Sequence, residues 1–318
     1  MDITRRTFGL AALGGTLAAV PALAKAPFAG LQAPGVYRLK VGTYEVTILS
    51  DGSFPLEPKI FSGDAGGAAK LLEGAFLPQN VVPTSVNEWL VNTGDKLVLV
   101  DTGTSNLFGP TLGRMVRNLA AAGIDPSAVD TVIITHMHPD HVGGLLTPDK
   151  QIVFPNAGVQ VNETDYRFWT SAEIAAKAPD DFKPFFDMAR VAIKPYADAG
   201  RVTFFKDGAE LAPGMTAIAA PGHTVGHTMV RVSSQGNDLL LWGDIVHNAA
   251  LQFAEPERAL LFDTDQPTAI ASRKRVFDMA AADRLAIAGA HLPFPGIGHV
   301  AKAAVGYVYV PMPWSADL

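Results

Sequence analysis

The sequence predicts a mixed α/β (α+β) protein, a single domain built as a four-layer αββα sandwich. Three observations carry that prediction. Hydrophobic residues make up 48% of the 318 residues, enough for a large core. Segments with strand texture lead into a helix, an insertion follows, and strands lead into a helix a second time. No Pro-, Gly- or Ser-rich linker separates the two runs, as two independent domains would require.

Residues 1–26 stand apart from that domain, which takes residues 27–318. They carry a twin arginine (Arg5, Arg6), a moderately apolar run with two glycines, and small residues up to Ala24 and Ala26. The run is too short and too weakly apolar for a spanning helix, and its layout is that of a twin-arginine export signal. The expected location is therefore periplasmic or secreted, with no stable membrane anchor. Zero cysteines fits an oxidising compartment and removes disulfides, zinc-thiolate sites and cysteine nucleophiles together. The formal charge is −6, and loss of Asp2, Arg5, Arg6 and Lys25, which together carry +2, makes it −8. An acidic chain with no Lys/Arg cluster is a poor nucleic-acid binder.

The elements follow in order. Val36–Gly52 alternates polar and apolar residues and ends in Asp-Gly, which reads as one or two strands. The Gly- and Pro-rich stretch through Pro83 reads as a long loop with one short helix over Ala68–Glu73, and its aromatics could serve a homodimer. Ser85–Gly103 gives two strands joined across Thr93–Asp95 and ending at Asp101. Thr111–Ala122 has helical spacing with Gly123 as its stop. Thr131–Ile134 is a β-branched strand, and Gln151–Val161 is expected to be another. Glu163–Ala199 has helical texture and many aromatics. Strands return at RVTFF, at Met215–Thr224, at TMVRVSS and at Asp238–Asp244. A last helix spans Pro267–Ala281, a strand over Arg284–His291 ends in His, and AAVGYVYV closes the chain.

The chemistry is concentrated in Thr135–Gly144, THMHPDHVGG. It offers His136, His138, Asp140 and His141 within six positions. A strand releasing His at i and i+2 aims both rings to one side, and the turn after it can add Asp140 and His141. Neutral imidazole and carboxylate are ligands for borderline first-row cations, zinc foremost. Three more such residues stand where strands end: His223 in PGHT, Asp244 in WGD and His291 in GAH. Seven ligands from five strand ends suffice for two divalent ions with one carboxylate bridging. His227 and His299 read as structural hydrogen-bonding residues.

Through THMHPDH, the PGHT His, the WGD Asp and the GAH His, the chain resembles the metallo-β-lactamase superfamily over essentially all of residues 27–318. The resemblance implies one metal on His136, His138 and His223, a second on Asp140, His141 and His291, and Asp244 between them. It also places Asp101 beside the site, supporting ligands rather than binding metal. PGHTVGHT, GDIVH and GAHLPFPGIGHV are similar to the methyl parathion hydrolase group and its lactone- and arylester-hydrolysing relatives. The implied activity is hydrolysis of a small lactone or aryl ester by a metal-bridging hydroxide, with organophosphate triesters as further substrates. Asp244 and Asp140 are the candidate catalytic carboxylates. Phe108, Trp169, Phe185, His247 and Phe262 are the candidate pocket wall, and a bulky His247 favours a flat lactone over a tetrahedral phosphotriester. Alternatives are a dedicated methyl parathion hydrolase-like phosphotriesterase, a non-haem iron oxygenase of the same fold, and a non-catalytic periplasmic metal-binding protein.

Overall fold

The computed structural model describes residue 26 and residues 28–318. The export signal expected over residues 1–26 lies outside the described residues, apart from Ala26. Among the described residues no helix is long and apolar enough to cross a membrane.

Seven strands in strict chain order form the first sheet: β1 (Val36–Val41), β2 (Tyr44–Leu56), β3 (Val82–Asn92), β4 (Leu97–Val100), β5 (Thr131–Ile134), β6 (Gly158–Asn162) and β7 (Val202–Phe205). β1 to β4 pair antiparallel and β4 to β7 pair parallel. Seven more form the second sheet, again in chain order: β8 (Glu210–Ala212), β9 (Met215–Ala219), β10 (Thr228–Ser234), β11 (Asn237–Leu241), β12 (Ala286–Ala288), β13 (Ile297–Lys302) and β14 (Tyr307–Pro311). The helices are α1 (Ala65–Gly74), α2 (Met115–Ala121), α3 (Pro139–Val142), α4 (Glu163–Thr170), α5 (Ala172–Lys177), α6 (Lys183–Asp198), α7 (Ala249–Gln252) and α8 (Gln266–Ala282).

The period of two in β3 explains the layering. Trp89 and Val91 face the core between the sheets with Val230 and Leu241, while Leu90 faces the opposite core with Leu119 of α2 and Phe186 of α6. A third core packs Val276, Phe277 and Ala280 of α8 against the outer face of the second sheet. The order is helix, sheet, sheet, helix, within one compact unit over Pro34–Leu318. This is the expected αββα sandwich.

Local expectations fared less evenly. α2 begins at Met115 rather than Thr111, because Gly113 adopts φ 75° and Asp51 caps the helix from a distance, accepting from the Met115 N–H at 2.9 Å. Of the strand expected over Gln151–Val161 only Gly158–Asn162 forms; Pro155 has no N–H to offer a ladder, and Ala157 turns back onto the Phe154 carbonyl. The helical stretch over Glu163–Ala199 is three helices, broken where the Ser171 hydroxyl caps α5 and where Pro179 interrupts. β8, α7 and β13 were not foreseen.

Candidate active site

The candidate residues leave from four strand ends, not five: those of β5, β9, β11 and β12. β5 stops at Ile134, so His136 and His138 project from a loop rather than from a strand, and Asp140 and His141 lie on the one-turn helix α3. Pro139 starts that helix, since its fixed φ suits the first helical position. Gly144 then lets the chain pass Thr102, whose carbonyl would stand 1.8 Å from any added Cβ.

The fold brings all seven side chains together. His136, His138, His223 and Asp244 offer atoms within 4.8 Å of one another, and so do Asp140, His141, His291 and the same Asp244. Each cluster is held by acceptors behind it. Asp101, at φ 62°, takes the His141 Nδ1–H at 2.8 Å, the Thr135 N–H at 2.8 Å and the Thr135 hydroxyl at 2.7 Å. Thr135 Oγ1 in turn lies 3.1 Å from His136 Nδ1. Asp101 therefore stands behind His141 directly and behind His136 through Thr135.

Three supports were not foreseen. Asp263 accepts from His223 Nδ1 at 2.8 Å, and the Ser85 carbonyl accepts from His291 Nδ1 at 2.8 Å. Asp165, buried on α4, accepts from the Met137 and Gly226 N–H groups at 2.8 Å each, tying the HxH loop to the PGHT loop. Such residues carry no local mark in a sequence, because their partners are 28 to 206 positions away. His227 fixes Asp244: its Nδ1 donates to the Ala220 carbonyl at 3.1 Å and its Nε2 accepts the Asp244 N–H at 3.0 Å. Gly243 must be glycine here, having φ 56° and a would-be Cβ 2.7 Å from that Nε2. His299 donates to the Leu285 carbonyl.

These bonds fix tautomers. With Nδ1–H engaged, His141, His223 and His291 turn Nε2 lone pairs toward Asp244, at 3.3, 3.3 and 3.0 Å from its carboxylate oxygens. Lone pairs facing a carboxylate repel it unless a proton or metal cation lies between them. His136 Nε2, His141 Nε2 and Asp244 Oδ1 are buried with no hydrogen-bond partner. The donor set and these orphaned atoms fit a pair of divalent cations. Without them protons take the place: burial pulls His223 down, but hydrogen bonds and charge from Asp244 and Asp263 carry it up to about 9. Burial also opposes His141, which Asp244, Asp140 and Asp101 raise well above its ordinary value. Burial and neighbouring imidazoles hold His136 and His138 well below theirs.

A cavity of about 280 Å³ opens above the clusters. Its floor is polar, formed by His138, Asp140, His223, Asp244 and His291, and its walls are mostly aromatic. Phe108 and Phe54 stand on one side with ring centroids 6.5 Å apart, and Phe185 and Phe262 on the other at 5.8 Å. His247 leans over the floor, its Nε2 3.1 Å from Asp244 and its ring stacked on His291 at 4.6 Å. Phe54, from the end of β2, was missed because that stretch reads as loop. Trp169 is corrected: it is fully buried, packs on Phe186 at 4.6 Å and meets the His138 ring at 5.0 Å, so it stands behind His138 instead of walling the cavity.

Fold and site together define an αββα sandwich that carries two adjacent His/Asp clusters of metal-binding composition. The chain belongs to the metallo-beta-lactamase superfamily, whose sequence profile matches residues 81–291. A curated relative, the Beta-lactamase-like protein 2 homolog of Drosophila melanogaster, is 24% identical over 163 residues, 49% of this chain and 46% of that protein. The chain thus spans under half the length of that relative. Among solved structures it is similar to the hydrolase AbOPH of the beta lactamase superfamily, at 34% identity and a TM-score of 0.85, covering 90% of this chain and 100% of that one. It is also similar to AidC, a dizinc quorum-quenching lactonase solved with a product, at 28% identity and a TM-score of 0.83, covering 89% of this chain and 99% of that one.

Proposed function

We propose that this protein hydrolyses small lactones or aryl esters with two zinc ions, one held by His136, His138 and His223, the other by Asp140, His141 and His291, and both by Asp244. The observation that carries the reading is the sharing of Asp244 between two clusters at the floor of an aromatic-walled cavity. The dizinc AidC supports the choice of metal and of a lactone. A bound pair of divalent cations would supply Lewis acidity, polarising the substrate's carbonyl and making water acidic enough to act as hydroxide near neutral pH.

The chain's own residues supply the rest. Facing aromatic pairs fit a flat substrate and exclude water around the ester. Burial raises Asp140, but His141 and His291 outweigh it and keep the carboxylate ionised. An ionised Asp140 has no proton to donate to a leaving group. That suits phenolate leaving groups, which depart without protonation.

Phosphotriesters, the substrates of the methyl parathion hydrolase group, rank second because His247 occupies the space above Asp244 that a tetrahedral centre would need. We further propose twin-arginine export to the periplasm or exterior.

The test is hydrolysis of dihydrocoumarin, an acyl homoserine lactone, an aryl acetate and methyl parathion by the zinc-loaded protein, with Asp244→Ala as control. Turnover of an aromatic lactone or ester that depends on Asp244 is expected, and silence across the panel with two metals bound would sink the substrate class. His247→Leu is expected to favour the phosphotriester relative to the lactone; no relative gain would reject the steric argument.

A further inference from the structure

The Asp-Gly pair inside β2 bulges the strand instead of ending it. The pairing with β3 steps from Ser50 to Gly52 and leaves Asp51 outside the ladder, which frees its side chain to turn elsewhere. It is buried, and its carboxylate gathers two separate segments. Oδ2 accepts from the Thr104 N–H at 3.0 Å, the Thr104 hydroxyl at 2.6 Å and the Gly113 N–H at 3.0 Å, and Oδ1 accepts from the Met115 N–H at 2.9 Å. The Asp51 carbonyl adds the Arg114 N–H at 3.0 Å. The two segments touch as they pass, since a Cβ on Gly113 would stand 2.1 Å from the Ser105 carbonyl. Residues 105–112 are therefore a compact loop closed at its neck by one acid. Beyond the neck the loop is lightly held. Residues 106–111 are exposed, and the backbone bonds there are long: the Leu107 N–H to the Thr104 carbonyl at 3.2 Å, and the Leu112 N–H to the Gly109 carbonyl and the Ser53 N–H to the Thr111 carbonyl at 3.4 Å each. Phe108 lines the catalytic cavity, while Asn106, Gly109 and Pro110 line a separate one of about 660 Å³.

We propose that Asp51 is a positioning residue for substrate selection: by closing the neck it keeps Phe108 at the wall of the catalytic cavity, so that small flat esters are gripped and bulkier ones are disfavoured. A carboxylate suits the neck because it meets four donors and has none of its own, whereas an amide would turn an N–H against N–H groups. Asp51 belongs to neither metal cluster and does not line the catalytic cavity, so it reaches a bound substrate through Phe108. With the neck open, the loop has the space beside Asn106, Gly109 and Pro110 to move into, and the aryl group loses a wall. The ester is the substrate class proposed above, whereas the clasp rests on hydrogen bonds that hold whatever the substrate is.

The experiment compares zinc-loaded parent, Asp51→Asn, Phe108→Ala and the double variant by two readouts. The first is limited chymotrypsin digestion with the cut sites identified by mass spectrometry. Asp51→Asn should be cut after Leu107 or Phe108 about tenfold faster or more, with other sites unchanged and both ions retained. The second is kinetics with phenyl acetate and the bulkier 1-naphthyl acetate. Asp51→Asn should raise KM for phenyl acetate about tenfold with kcat within about threefold, and raise KM for the naphthyl ester less. In the Phe108→Ala background the same change should move KM by under about twofold, because the wall it positions is gone. Thr104→Val, which removes only the shortest bond of the neck, should act in the same direction by about threefold, and it decides the matter if Asp51→Asn melts below the assay temperature. Unchanged cleavage, a KM effect that persists without Phe108, or equal losses for both esters would overturn the proposal. A protein that hydrolyses no ester yet is cut faster in Asp51→Asn loses the proposed substrate class and keeps the clasp; one that turns over phenyl acetate with cleavage unaltered loses the clasp alone.

Discussion

The two clusters that meet at Asp244 are built differently. One presents three imidazoles, the other two imidazoles and the Asp140 carboxylate. The all-imidazole cluster depends on loops, since His223 leans on Asp263 and its loop is tied by Asp165. The carboxylate-containing cluster rests on the first sheet, through Asp101 at the end of β4 and the Ser85 carbonyl on β3. More negative charge and a stiffer mount act in the same direction. The Asp140 cluster should hold its ion more tightly, and graded chelation should empty the His223 cluster first.

The largest expected effect erases the comparison. Asp244→Ala removes the group common to both clusters, and kcat/KM should fall by about 10³ or more; a loss under tenfold would mean that the clusters work separately. Asp101→Asn comes next, because Asp101 supports His141 directly and His136 through Thr135, so both metals should bind roughly 10- to 100-fold more weakly. Asp263→Asn should weaken one metal only, by a comparable factor, leaving one tightly held ion per chain by metal analysis. Equal loss at both sites would contradict the division of supports.

Acidity separates the contributions further. In chelator-stripped protein His223, raised to about 9, adds stability that is complete below its ordinary 6.5 and fades as pH rises through 9. His227, held by burial down to about 3, adds stability that is present above 6.5 and fades as pH falls toward 3. The stripped protein should melt highest near pH 6.5, and zinc should remove the alkaline decline by replacing the proton on His223. A melting temperature of the stripped protein that climbs steadily to pH 9 would contradict this. The smallest effect concerns the walls: Phe54→Ala, beside His291, and Phe262→Ala, beside Phe185, should each lower kcat/KM for an aryl ester roughly tenfold. Whichever falls further marks the side on which the aryl group lies.

The grouping of imidazoles and carboxylates was legible in the sequence because the chemistry is dense. His136, His138, Asp140 and His141 announce themselves within six positions, and His223, Asp244 and His291 follow strand-like runs. The αββα order was legible for a related reason: each sheet is laid down in chain order, so the linear succession of textures maps onto the layers. The supports were not legible. Asp165 and Asp263 look like ordinary helix and loop acids, and only three-dimensional proximity reveals their partners. Trp169 and Phe185 show the limit for aromatics, since both sit in helical texture and only packing sends one into the core and the other into the cavity.

The first sheet is finished at Phe205 and the second begins at Glu210, so the four residues Lys206–Ala209 are the whole hand-over between them. His136, His138, Asp140 and His141 come from before that hand-over, and His223, Asp244 and His291 from after it. Each proposed ion would therefore clasp groups from both parts of the chain, riveting two successive halves at one rim. Loading with metal would then be the last step of assembly, possible only once the late strands have docked, and withdrawing it would unfasten that rim before the dry interior between the sheets gives way.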